Sequence, residues 1–239
     1  MPSSSRNPSK STERAAPDKR ETLRRISAAA RREFAAKGLA DARIDDIAHA
    51  AGVTKQLVYH YFRSKEELFA CVLEDSSATT MGELVAVELD HLAPRDALRA
   101  LLNHMIRPYC DPMLSALAQE GIRYHESHAT PRNSFVDLAP ELKRKMRSVL
   151  ARGAQSGDFR ANVDPDLFLA AAAQVTTSAF VSRYTVVTLC GLDVANADDA
   201  DTWRRFAVDF VLAAVERERS DQHPLMRPDA PPKTPPEAA

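Results

Sequence analysis

The sequence is poor in most of what announces an enzyme or a membrane protein. Its three cysteines, Cys71, Cys110 and Cys190, lie far apart with no C-x-x-C pair. A disulfide or zinc scaffold is therefore not expected, and a reducing compartment is. Glycine is scarce, at seven of 239 residues. No G-x-G-x-x-G, G-x-x-x-x-G-K or G-x-S-x-G occurs, which removes the commonest nucleotide and hydrolase signatures. The longest apolar run is seven residues, Leu167 to Ala173. A membrane span needs about 20, so no membrane partner is expected. The opening Met-Pro-Ser-Ser-Ser-Arg has no apolar leader core, and the expected location is cytoplasmic.

What is present is a charge asymmetry under a net charge of −1. Residues 1–65 carry 14 Lys and Arg against seven Asp and Glu, and the remainder 18 against 26. A basic head on an acidic body points to a polyanion as the partner of the head. Residues 1–17 hold Ser, Pro, Arg and Lys with almost no large apolar side chain, and are expected to form a disordered basic arm. The segment 221–239 carries six of the fifteen prolines and is likewise expected to be disordered. The ordered chain then divides into a head, 18–80, and a body, 81–220.

The periodicity is helical throughout, and the predicted class is all-α with about nine helices. Leu23, Ile26, Ala30 and Phe34 form one helical stripe, with Asp18 as cap and Gly38 as stop. Ile44, Ile47, Ala48 and Ala51 make a short second helix ending at Gly52. Thr54 caps a third, with Leu57, Val58 and Phe62 inward. Ser64 caps a fourth, to about Thr80, with Glu67 completing a capping box. In the body, helices are predicted from Pro94 to about Pro108, Pro112 to His128, and Glu141, opened by Pro140, to Gln155. A long helix runs from Pro165 to about Leu189, and a last one, capped by Thr202, to about Arg219.

Two short helices joined by a tight Gly-containing turn inside a basic three-helix cluster describe a helix-turn-helix, at about 43–62. Its second helix turns Lys55, Gln56, Tyr59 and His60 outward, with Arg63 and Lys65 near its end. Lys can donate to guanine O6/N7, Gln can pair with adenine N6/N7, and Thr, Tyr and Lys reach phosphates. A helical hairpin with a merely polar face is the competing reading, and the agreement of turn, cap, charge and outward chemistry favours DNA.

The string Ile44-x-x-Ile47-Ala48-x-x-Ala51-Gly52-Val53-Thr54-x-x-x-Val58-Tyr59-x-Tyr61-Phe62-x-Ser64-Lys65-Glu66-x-Leu68 resembles the N-terminal domain of the TetR family of transcriptional regulators. The resemblance covers residues 18–80, and Val58 stands where Leu is common. It implies a homodimer, usually a repressor, on a palindromic DNA operator. Thr54, Tyr59 and Lys65 would contact phosphates, Lys55, Gln56 and His60 would read bases, and Arg43 and Tyr61 complete the candidate DNA-binding set.

The same resemblance implies a body that binds a small, mostly apolar effector and dimerises. Candidate ligand-binding residues are Met105, Tyr109, Tyr124, His125, Phe168, Gln174, Thr177, Phe180 and Tyr184. Gln174 and Thr177 stand out because they interrupt an Ala-rich helix and need partners if buried. The dimer interface is expected on Ala172, Thr176, Ala179, Val208, Phe210 and Val211. His104, Cys110, His125 and His128 offer a weak metal pattern, which leaves a metal-responsive regulator as one alternative and an enzyme or carrier using the body's pocket as another. No catalytic residue, cofactor or resident metal is expected.

Overall fold

The structure is a computed structural model and describes residues 18–128 and 132–217. The expected basic arm and the Pro-rich C-terminal segment lie outside the described residues. The described chain forms ten α-helices and a single 3-10 turn. The Asp18 carboxylate caps α1 (Lys19–Asp41) through the Arg20 amide, at 3.2 Å. The helix bends at Gly38, where φ is +70°, so the expected stop is a kink followed by one more turn. Next come α2 (Ile44–Ala51), α3 (Lys55–Tyr61) and α4 (Lys65–Ala86). The Ser64 hydroxyl caps α4 by accepting from the Glu67 amide. The Glu67 carboxylate reaches back to the Arg63 N–H at 2.6 Å, one residue beyond the Ser64 N–H that a reciprocal capping box would use.

These four helices close a core around Ile26, Phe34, Ile47, Val58, Leu68 and Phe69. A second core, of residues from Met81 to Val215, fills the body. Its elements are α5 (Pro94–Ile106), the 3-10 turn Arg107–Cys110, α6 (Pro112–Ser127), α7 (Ser134–Ser156), α8 (Pro165–Val181), α9 (Arg183–Cys190) and α10 (Ala197–Ala213). Among the described residues only an isolated antiparallel bridge, Phe159 to Glu216, is extended pairing.

Several boundaries differ from expectation, α4 running on to Ala86 and α10 ending at Ala213 among them; three have a visible local cause. Helix α7 begins at Ser134 with Asn133 as its cap, and Pro140 lies inside it. A carboxylate from α4 fixes that first turn: Glu74 accepts from the Ser134 amide at 3.0 Å and its hydroxyl at 2.5 Å. The long helix after Pro165 breaks at Ser182, whose φ and ψ are −113° and 46°, giving α8 and α9 and raising the count to ten. Thr202 is interior to α10, donating to the Asp198 carbonyl. The cap is Asn196, with Asp198 and Asp199 in the first turn, where the helix dipole favours negative charge.

Two helices join head and body. The expected division at residues 80–81 falls within α4, which places Leu68, Phe69, Val72 and Leu73 in the head core and Met81 and Leu84 in the body core. Helix α6 packs Leu117 into the head. Its Gly121 lies against Leu73, and Tyr124 meets Phe69 edge-on with ring centroids 5.3 Å apart. Helix α7 holds the far end of α4 through Lys145, which donates to the Val87 carbonyl at 2.9 Å. Arg152 donates to the carbonyls of Leu89, Asp90 and Leu92.

Candidate nucleic-acid interface and C-terminal cavity

The turn between α2 and α3 is closed by local chemistry. Gly52 adopts φ 64° and ψ 39°, the left-handed region that costs glycine little. Its N–H donates to the His49 carbonyl at 3.0 Å, and the Val53 N–H to the Ala48 carbonyl at 3.0 Å. These bonds satisfy the last carbonyls of α2. The Thr54 hydroxyl then accepts from the Leu57 amide at 3.2 Å and starts α3. Ala48, Ala51 and Val58 are buried, so their small or branched side chains set how closely the helices approach.

Arg25, on α1, was not visible as a functional residue in the sequence. Its guanidinium donates to the carbonyls of Ala51 and Gly52, the latter at 3.0 Å. A Cβ at residue 52 would stand 2.5 Å from the same Nη2 atom. Glycine at this position therefore serves both the backbone conformation and the entry of Arg25. The contact spans 26 residues, and nothing in local periodicity signals it.

The recognition helix exposes Thr54, Lys55, Gln56, Tyr59 and His60 together, one donor-rich face of the kind a major groove accepts. Tyr61 is half-buried against the core and meets the His60 ring edge-on. Arg43 is exposed at the start of α2. Lys55 pairs with Asp45 at 2.8 Å, and that carboxylate holds the ammonium above its usual range. The pair is exposed, so it costs little to exchange for a phosphate or base. Lys65 reaches the C-terminal end of α1, donating to the carbonyls of Ala40 at 2.9 Å and Ala42 at 3.1 Å.

The candidate ligand residues do not converge. A cavity of about 620 Å³ opens between the 3-10 turn, α6, α8 and α10, lined among others by Tyr109, Ser115, Gln119, Phe180, Asp201 and Arg204. Of the expected set only Tyr109 and Phe180 line it, with ring centroids 6.0 Å apart. Met105 is buried in the body core and Phe168 packs against it. Gln174 is exposed, and Tyr184 is 83% exposed. The Thr177 hydroxyl donates to the Ala173 carbonyl of its own helix at 2.8 Å. The hydroxyls of Thr176, Thr177 and Ser178 are thus answered within α8, as Ser and Thr inside helices commonly are. Tyr124 lies on the head core, with His125 beside it and the His128 ring stacked on it at 4.4 Å. Arg204 and Gln119 were missed because exposed-looking polar residues give no periodic signal of facing a cavity.

The residues expected at the interface divide by burial. Ala172, Thr176, Ala179, Val208 and Val211 are each at most 3% exposed within the single chain, so they pack the protomer's own core. Phe210 alone of the six is exposed. Leu167 and Val181 on α8 and Phe206 and Phe210 on α10 are exposed, the last two with ring centroids 5.9 Å apart. Trp203 is turned inward, its indole N–H donating to the Thr176 carbonyl at 3.3 Å. Among the described residues no three His, Cys, Asp or Glu side chains are placed to hold a metal ion, and no helix is long and apolar enough to cross a membrane.

Known proteins share both halves. Residues 26–72 match the model of bacterial regulatory proteins of the tetR family, and residues 94–211 match a tetracyclin repressor-like C-terminal domain. The transcriptional repressor NicS of Pseudomonas putida is 27% identical over 197 residues, covering 80% of this chain and 91% of that protein. The repressor KstR2 of Mycobacterium tuberculosis is 30% identical over 149 residues, covering 56% of this chain and 67% of its own length. A solved structure described as the molecular basis for control of antibiotic production by bacterial hormones superposes with a TM-score of 0.59. It is 26% identical, over 82% of this chain and 98% of that one.

Proposed function

The chain belongs to the tetR family of bacterial regulatory proteins, and from that premise we propose a one-component transcriptional repressor: a dimer that holds a palindromic DNA operator and leaves it when a small effector enters the body. The observation that carries this reading is the recognition helix. Its exposed face gathers Thr54, Lys55, Gln56, Tyr59 and His60 on a turn held from behind by Arg25. In this reading Lys55, Gln56 and His60 meet base edges. Thr54, Tyr59, Tyr61 and Arg43 meet phosphates and fix the register. Lys65, already bound to two carbonyls, offers its remaining N–H to a phosphate while it holds the α1–α2 loop.

Two recognition helices on one DNA face need a two-fold axis. The exposed apolar residues Leu167, Val181, Phe206 and Phe210 suit a face where α8 and α10 meet their copies. The effector is a small, mostly apolar molecule, and the cavity beside Tyr109 and Phe180 suits it. Helix α6 supplies Ser115 and Gln119 to that cavity and Leu117 and Tyr124 to the head, so filling the one displaces the other. The chain acts in the cytoplasm, where the operator is.

The test is selection of bound fragments from random duplex DNA by the full chain. A two-fold symmetric consensus whose affinity falls steeply with salt supports the reading. Each phosphate neutralised contributes about −0.9 to the log–log slope. Binding without sequence preference would count against a repressor.

A further inference from the structure

The cavity walls carry two arginines, and both are already answered. Arg204 Nε donates to Asp201 at 3.0 Å and Nη1 to Asn103 at 2.6 Å, and a further Nη2 bond reaches Asp201. Arg183 meets Asp193 through two bonds of 2.6 Å. Each carboxylate in these pairs is held ionised by its guanidinium. The wall therefore holds no uncommitted charge of either sign among these groups. An entering anion would have to take Arg204 from Asp201 and leave beside it that carboxylate, which Arg205 also meets at 3.2 Å. An entering ammonium would have to do the converse. Either ion would give up hydration on entering, and the wall offers it no uncommitted counter-charge in return.

Two neutral hydroxyls are uncommitted. Tyr109 is half-buried, and burial pushes its phenol above the usual range, so it stays protonated as a donor. Ser115 is 8% exposed. Neither hydroxyl is hydrogen-bonded to another described residue. Gln119, by contrast, spends one of its two amide N–H donors on the Phe180 carbonyl at 3.0 Å. The Tyr109 and Phe180 rings, tilted by 40°, give the same wall a flat apolar surface.

We propose that this cavity selects an uncharged, flat, largely apolar molecule bearing a hydrogen-bond acceptor, which the hydroxyls of Tyr109 and Ser115 recognise, and that the Arg204–Asp201 pair excludes carboxylates and amines. The inference rests on the effector reading of the body and adds the chemical class. Asp201 is its specificity device: it withholds Arg204 from anions.

Calorimetry on the full chain with four probes of one shape tests it: naphthalene, 2-naphthamide, 2-naphthoate and 2-naphthylmethylammonium. The expected result is that 2-naphthamide binds at least tenfold more tightly than either ion. Tyr109→Phe and Ser115→Ala should each bring the amide several-fold closer to naphthalene. Asp201→Asn, which frees Arg204, should raise 2-naphthoate affinity at least tenfold, with helicity by circular dichroism confirming that the variant is folded. Naphthoate binding to the natural chain as tightly as the amide overturns the proposal, and so does failure of all four probes to bind. Operator affinity measured with and without the bound amide separates the two ideas. If the amide binds by these residues and operator affinity is unchanged, the ligand class stands and the effector reading falls.

Discussion

Arg25 and Gly52 occupy each other's space: the guanidinium donates to the Gly52 carbonyl at 3.0 Å, and its Nη2 atom lies 2.5 Å from where a Cβ on residue 52 would stand. A residue of α1 thereby bonds the turn that leads into the recognition helix. Gly52→Ala should suffer twice. The left-handed backbone costs about 1 kcal/mol for a residue with a Cβ, and Arg25 must withdraw. The expected outcome is a lower midpoint in thermal unfolding and at least tenfold weaker operator binding.

Arg25→Ala should weaken specific binding about tenfold while leaving the salt slope unchanged, because Arg25 bonds carbonyls and not phosphates. Affinity measured by fluorescence anisotropy across a salt series checks this. A slope shallower by about 0.9 would mean that Arg25 neutralises a phosphate itself.

On the exposed face, Gln56→Ala should relax preference at particular base pairs at a cost of about 1–3 kcal/mol. Asp45→Asn removes the carboxylate that holds Lys55 at 2.8 Å and should tighten binding to all sequences several-fold at low salt. Lys65→Ala should lower thermal stability as well as affinity, since it releases the Ala40 and Ala42 carbonyls. An unaltered melting temperature would show that the lysine serves DNA alone.

The burial of α8 and α10 separates two kinds of variant. Phe210→Asp and Phe206→Asp place charge on an exposed apolar face and should give folded, helical monomers in sedimentation. Ala179→Arg forces a cation into a site that is 0% exposed and should unfold the body, because an unpaired buried charge is costly. A folded Ala179→Arg chain that is still dimeric would contradict the packing seen here.

Arg152→Met keeps the stem but removes three hydrogen bonds to the carbonyls of Leu89, Asp90 and Leu92. Bonds from a charged donor contribute about 1.5–3 kcal/mol each, and not additively. A loss of about 2–4 kcal/mol in urea unfolding is expected. Ligand and operator affinities should also become less coupled, because α7 no longer holds the end of α4.

What the sequence alone determined is local. The stripe of Ile26, Ala30 and Phe34, the caps at Asp18, Thr54 and Ser64, and the turn at Gly52 are all settled by groups within about four residues of one another, and helical periodicity reports such groups directly. The tertiary structure decided the rest, because each remaining question depends on which surface arrives opposite a side chain. Ala172 and Ala179 look alike whether a neighbouring helix or a second copy covers them, and here α8 turns them into its own core. Gln174 interrupts an apolar stretch yet faces outward. Pro140 by itself signals a helix start, but Glu74, sixty residues before Ser134, anchors the turn ahead of it. Arg25 finds the Gly52 carbonyl, Lys65 the Ala40 carbonyl, and Arg204 both Asn103 and a cavity wall. Long cationic side chains reach partners far along the chain, and only the packing of whole helices brings those partners within hydrogen-bond distance.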